Sequence, residues 1–288
     1  MHVKNIPKKP SRKRVLRFCI ALIFPFWLAG IAVSEGAPVS TVTFTTDTAT
    51  DGVFIRPNDA VGDMADRGAL HVSGRAAVNL LGEAQGPSVT FIRFNVCDTV
   101  AEIEQMCREA DKYWAICGVN LALTECRLPN NQRFNRGQGQ FHVTWTHDDS
   151  WDECTLTWAN KDRYLSDPNT VTIGTFPNAG LGDQYIPRQR LPLDMPAIVV
   201  DDLLHDSIIT LYLSPADEDI GFVFNSDDIT TERIHPYLEI EVLISDDVID
   251  PCRVTIERSG AIAGDLNRDC RVDLSDFLIF AENWLTAM

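Results

Sequence analysis

Five oxygen-bearing side chains near the C-terminus fall at offsets that suit one bound cation. In the run GDLNRDCRVDLSDFLIFAENWL, Asp265, Asn267, Asp269, Asp273 and Asp276 take positions 1, 3, 5, 9 and 12 of a loop, with the Arg271 carbonyl at position 7. Calcium prefers six to eight oxygens in flexible geometry, and a twelve-residue loop with these offsets wraps them around one ion. Four carboxylates this close repel one another until a divalent cation offsets their charge, so the expected cofactor is Ca2+ and the loop should order on binding it. The plainer alternative is an acidic turn that caps the following helix. That helix carries Phe277, Phe280, Ala281, Trp284 and Leu285 along one face, an apolar stripe fit to dock on the rest of the chain or on a partner.

A second chemistry is the recognition of sugars, which pairs flat apolar rings with carboxylates that accept hydroxyl hydrogen bonds. Trp145, Trp151 and Trp158 supply the rings, and Asp148, Asp149 and Asp152 lie among them. Trp145 and Trp158 keep company with Val143 and Leu156 in alternating segments, which points them inward. Trp151 sits in a polar stretch, so the expected ligand set is Trp151, Asp149 and Asp152. Arg56 and Arg93 lie in strand-like segments, where an ion pair and a ligand contact are equally open.

Catalysis has a weaker footing. There is no Gly-x-Ser-x-Gly or His-Glu-x-x-His run and no His/Cys spacing of the zinc type. His147 with Asp148 and Asp149, and His205 with Asp206, are the suggestive clusters, and each reads more simply as a loop feature. No catalytic residue is assigned, and the chain is expected not to be an enzyme.

The 288 residues, 45% hydrophobic and 23% charged, suffice for one large core plus a small appendage. Lys4, Lys8, Lys9, Arg12, Lys13, Arg14 and Arg17 precede an apolar stretch from Phe18 to Val33, the layout of a signal peptide over residues 1–34. The apolar stretch is short for a bilayer span and Pro25 interrupts it, so no stable span is expected after cleavage, with an uncleaved anchor as the alternative. Removing these residues takes seven of the 25 Lys and Arg and none of the 41 Asp and Glu, which moves the formal charge from -16 to -23. Such acidity disfavours nucleic acid, whose phosphates are bound by clustered Lys and Arg. It suits calcium, neutral glycans or basic protein surfaces, and it also keeps an extracellular protein soluble. Eight cysteines fit export to an oxidising compartment, and seven remain once Cys19 is removed with the signal. Connectivity is not readable from spacing. The expectation is a Cys252–Cys270 bridge flanking the terminal segment and two bridges among Cys97, Cys107, Cys117, Cys126 and Cys154.

The elements that must position these groups are mostly strands. Period-two alternation marks Val119 to Leu123, Phe141 to Trp145 and Cys154 to Trp158, and further strands are expected at Val89 to Val96, Ile208 to Leu213, Gly221 to Asn225 and Tyr237 to Ile244. These predict an all-β fold, an antiparallel β-sandwich of jelly-roll type. One helix interrupts it after Cys97, where Val100, Ile103, Cys107, Ala110 and Trp114 recur at helical spacing behind a Thr99/Glu102 capping box. It is expected to be tethered by a disulfide. Residues 129–140 and 175–196 read as long surface loops, and residues 247–263 as a linker.

Two resemblances follow from these passages. The stretch from Asp51 to Arg56, the strand VTFIRFNV from Val89 to Val96, and DDSWDECTLTWAN from Asp148 to Asn160, with Trp151, Glu153, Thr157, Trp158 and Asn160 in place, resemble the DNRLRE-type domain. The closing FVF and YLEIEV segments fit that domain's final strands. The resemblance covers residues 39–246 and implies a non-catalytic β-sandwich module, akin to carbohydrate-binding modules. Residues 264–288 resemble one repeat of a type I dockerin, which implies Asp265, Asn267, Asp269, Asp273 and Asp276 as side-chain ligands, Asp276 being commonly bidentate, and a cohesin-like partner. Two departures matter: Cys270 stands where such loops have Gly, and the second repeat of a dockerin has no counterpart here. Together these make the expected function that of a secreted or cell-surface module binding a polysaccharide or cell-surface glycan, with a calcium-dependent docking segment. The alternatives are a structural or adhesive surface protein and, behind it, a polysaccharide-degrading enzyme.

Overall fold

The structure is a computed structural model that describes residues 40–60, 68–78, 82–125, 139–178, 188–231, 234–249, 254, 266 and 276–281. Alternation of apolar and polar residues sends one side of each strand inward. In β11 (Tyr237–Ser245), Leu238, Ile240, Val242 and Ile244 enter the core while Glu239 and Glu241 point away. Its neighbours are β1 (Ser40–Thr48) on one side and β5 (Tyr113–Leu123) on the other, with β8 (Gln189–Leu193) beyond β5, all antiparallel. The second sheet runs β2 (Asp51–Ile55), β4 (Val89–Asn95), β9 (Ile208–Pro215), β6 (Gly139–Thr146) and β7 (Val171–Asn178). A two-stranded ribbon of β3 (Ala69–Ser73) and β10 (Gly221–Asn225) packs beside it.

Setting aside β2, β3 and β10, the strand orders are β1-β11-β5-β8 and β4-β9-β6-β7. That interleaving is the jelly roll, two Greek keys folded into facing sheets. The expected antiparallel sandwich is therefore the fold. Its core lies between the sheets, where Phe94, Leu121, Phe141, Val143, Trp145, Leu211 and Ile240 are fully buried.

Several local expectations are corrected. The inserted helix α1 spans Cys97–Glu109 and starts earlier than the capping box implied; the Asn95 side chain accepts the Cys97 N–H at 2.9 Å. Trp114, placed on the helical stripe by its spacing, belongs to β5. The helix is not tethered by a disulfide. Cys97 and Cys107 are thiols, as is Cys154, so two bridges cannot form among the five central cysteines. Cys107 is instead core packing, with Val100 and Ile103. Cys252 and Cys270 lie outside the described residues. The alternation at residues 154–158 is a series of turns, because Asp152 draws in the backbone: its side chain accepts the Cys154 N–H and its carbonyl accepts those of Thr155 and Leu156. Two more helices appear, α2 (Lys161–Tyr164) and α3 (Ala197–His205). The span 175–196, read as a loop, contains the end of β7 and all of β8. Among the described residues, no helix is long and apolar enough to cross a membrane.

Candidate functional site

The two sheets present very different outer faces. Over β2, β4 and β9 the outward side chains are Val53, Ile55, Val89, Phe91 and Tyr212, and the segment after β6 folds back over them. Trp151, Leu156 and Tyr164 fill this second core, with Trp158 at its edge. Trp151 is 1% exposed, its ring lies against Phe91 at 5.7 Å and under the Arg93 guanidinium at 4.6 Å, and its Nε1 donates to Thr210 Oγ1 at 3.0 Å. No face is left for a sugar, which corrects the expectation that Trp151 stacks on a ligand. Arg93 resolves as structural: it pairs with Asp51 at 2.8 Å and donates to the carbonyls of Asp149 and Trp151, which fastens the covering segment to the sheet. Arg56 is paired with Asp59. Asp152 is spent on its turn, and Asp149 gives its carbonyl to Arg93 while its carboxylate lies within the influence of Thr210, Arg93 and His147.

Glu153 also belongs to this roof. Its carboxylate accepts the Gly52 N–H. Burial pushes its pKa up to about 7; the Gly52 bond opposes the shift, and the charges of Asp227, Asp228 and Asp51 add to it.

The outer face of the other sheet is polar and open along its middle. Thr41, Thr43 and Thr45 of β1 are exposed, β11 contributes Glu239 and Glu241, β5 contributes Asn120, and β8 contributes Arg190 and Pro192. At Cys117 and Gly118 a β-bulge places two residues opposite Glu241. The bulge deepens a groove of about 450 Å³ lined by Thr41, Gly118, Asn120, Pro192, Asp194 and Glu241. Asn120 Nδ2 donates to Glu241 Oε1 at 3.1 Å, and Arg190 holds Glu239 at 2.9 Å. Gly118 leaves the floor of the groove open: a Cβ there would stand 2.8 Å from the flexible end of Glu241, at Oε2. The face thus offers carboxylates, an amide and hydroxyls on rigid strands, the groups that pair with vicinal hydroxyls. The alternation Glu239-x-Glu241 in YLEIEV, with Asn120 between Val119 and Leu121, was the readable signal for it.

A third cluster forms where the two His/Asp runs of the sequence meet. His147 follows β6, and Asp202 and Asp206 stand on α3 and at its C-terminal cap. Asp202 is buried; its Oδ2 accepts from the Trp145 indole at 2.7 Å and its Oδ1 lies 3.1 Å from His147 Nδ1. Asp206 Oδ2 is 3.9 Å from the same nitrogen. Burial raises the Asp202 pKa, opposed by the indole bond and reinforced by Asp206 and Asp149. Burial likewise raises that of Asp149, against the pull of Thr210 and Arg93. For His147 burial acts downward, but the bond to Asp202 and the charges of Asp202, Asp206 and Asp167 outweigh it, so its pKa is raised. His205 takes no part; it folds back on Asp201 within α3.

Of the expected calcium ligands, Asp276 is described, while Asp265, Asn267, Asp269, Arg271 and Asp273 lie outside the described residues. Asp276 is 3% exposed and its Oδ1 accepts the Leu266 N–H at 2.6 Å, which joins the two ends of the loop. Residues 276–281 are helical, with the rings of Phe277 and Phe280 exposed and 6.5 Å apart. Trp284 and Leu285 lie outside the described residues.

The chain matches no protein-family model, and no curated protein sequence matches it at a significant level.

Proposed function

We propose that this chain is an exported, non-catalytic module that binds a neutral polysaccharide or cell-surface glycan in the groove of the four-stranded sheet, and that its C-terminal segment is a calcium-dependent docking element. The observation that carries the reading is the bulged groove itself, where Asn120, Glu241, Asp194 and Thr41 present donors and acceptors on a jelly-roll face. Its carboxylates, within a chain of formal charge -16, disfavour polyanionic ligands. Trp151 is withdrawn from the ligand set because it is core.

For the terminal segment, support comes from the ligand spacing and from the Asp276 contact to Leu266, which holds positions 2 and 12 of the loop together. A structural or adhesive role is the second reading, favoured by the exposed Phe277, Leu278 and Phe280. Two experiments separate them. Retention of the full chain in native gels containing neutral polysaccharides should be lost in Asn120→Ala/Glu241→Ala if the groove binds glycan. Self-association or partner capture that needs calcium and is lost in Phe280→Ala marks the adhesive role, and a chain that shows this but no retention overturns the glycan reading.

A further inference from the structure

We infer that His147, Asp202 and Asp206 form a binding site for a first-row divalent transition-metal cation of the zinc class, distinct from the calcium loop and from the groove. One donor atom from each residue lies within 4.8 Å of the others. The Nδ1 to Oδ1 distance of 3.1 Å and the Nδ1 to Oδ2 distance of 3.9 Å bracket the separation of donors that share an ion at about 2.0–2.2 Å.

The donor set selects the metal. An imidazole nitrogen with two carboxylates suits zinc-like ions, whereas calcium and magnesium take oxygens. The carboxylate of Asp202 is aimed before any ion arrives: its side chain is 2% exposed, and the Trp145 indole fixes Oδ2 so that Oδ1 turns toward His147. Such outer hydrogen bonds orient metal-binding carboxylates. Asp202 and Asp206 are four residues apart at the C-terminal end of α3, where the helix dipole is negative and a cation is favoured.

Asp149, held on its other side by Arg93 and Thr210, adds a carboxylate beside the site. Oδ1 of Asp149 is shut off from solvent and receives no hydrogen bond, and this carboxylate feels the charges of His147 and Asp206. His147 and Asp206 are 51% and 52% exposed, so the outer side of the site remains open to water or an exogenous ligand. An ion here ties the start of the roof segment to α3.

The test is calorimetric titration of zinc sulfate into the untagged full chain, with calcium present in millimolar excess to occupy the C-terminal loop. The wild type should take up zinc with a rise in melting temperature, and His147→Gln and Asp206→Asn should each weaken that uptake by roughly tenfold or more. Both substitutions fall on half-exposed side chains, so they report even where Asp202→Asn fails to fold. Cobalt(II) should give visible absorption bands that the two variants lack. Zinc uptake equal in wild type and variants, or no uptake by the wild type, would overturn the site.

Discussion

The two outer faces of this jelly roll follow the same alternation and end differently because of what points outward. Across β2, β4 and β9 the outward positions are Val53, Ile55, Phe91 and Tyr212, and the chain covers them with Trp151, Leu156 and Tyr164. Across β11 and β5 the run Glu239, Glu241 and Asn120 is polar and satisfied by Arg190 and by its own hydrogen bonds, with no apolar cover, while Ala115, Cys117 and Leu243 further along are covered by Ile249 and Val254. A tryptophan in a polar stretch is therefore part of a lid on one face, while short polar side chains on the other face form the groove.

The largest effect that would break this contrast is expected at Trp151. Trp151→Ala should cost about 3–5 kcal/mol, read as a lower urea midpoint. If Trp151 instead served a ligand, stability would hold and only binding would fall. Next is Arg93→Ala, which removes the Asp51 pair and two hydrogen bonds to the roof carbonyls. A loss of about 2–3 kcal/mol is expected, measured in the same way.

Glu153 makes the covered face sensitive to pH. Its pKa is about 7 in the folded chain against an ordinary value of 4.5, so between these values the native state holds a proton that the unfolded chain has released. Stability from this group is accordingly present at low pH and falls as pH rises from about 4.5 to about 7. Glu153→Gln keeps an acceptor for the Gly52 N–H and should flatten that slope in thermal melts, leaving the variant more stable than wild type above neutrality. The smallest stability effect belongs to the open face: Asn120→Ala should shift stability by no more than about 0.5 kcal/mol.

Much of the fold was legible because its strands are short apolar or alternating runs bounded by turn residues. Val89–Asn95, Gly139–Thr146, Ile208–Pro215, Gly221–Asn225 and Tyr237–Ser245 all form where the pattern places them. β7 and β8 were hidden by Pro177 and Pro192, which argue against a strand in general. Both strands are sheet edges, where a missing N–H leaves no ladder bond unmade. Residues 154–158 erred the other way, since Asp152 turns an alternating run into local hydrogen bonds. At the sites, His147 and Asp206 each stand in a His/Asp run of the sequence, but their meeting depends on α3 packing against the end of β6, and Asp202 has no signal of its own without Trp145 beside it. The groove depends on a bulge that no single strand reveals.

The open face is tested by the affinity of the full chain for a retained neutral polysaccharide, compared between wild type and Gly118→Val. A side chain at Gly118 meets the flexible end of Glu241, so the fold should survive while the groove fills. A glycan held in the groove should lose tenfold or more in affinity, about 1.4 kcal/mol, with an unchanged circular dichroism spectrum. Equal affinity in the two proteins would place the ligand elsewhere and contradict the assignment of the open face.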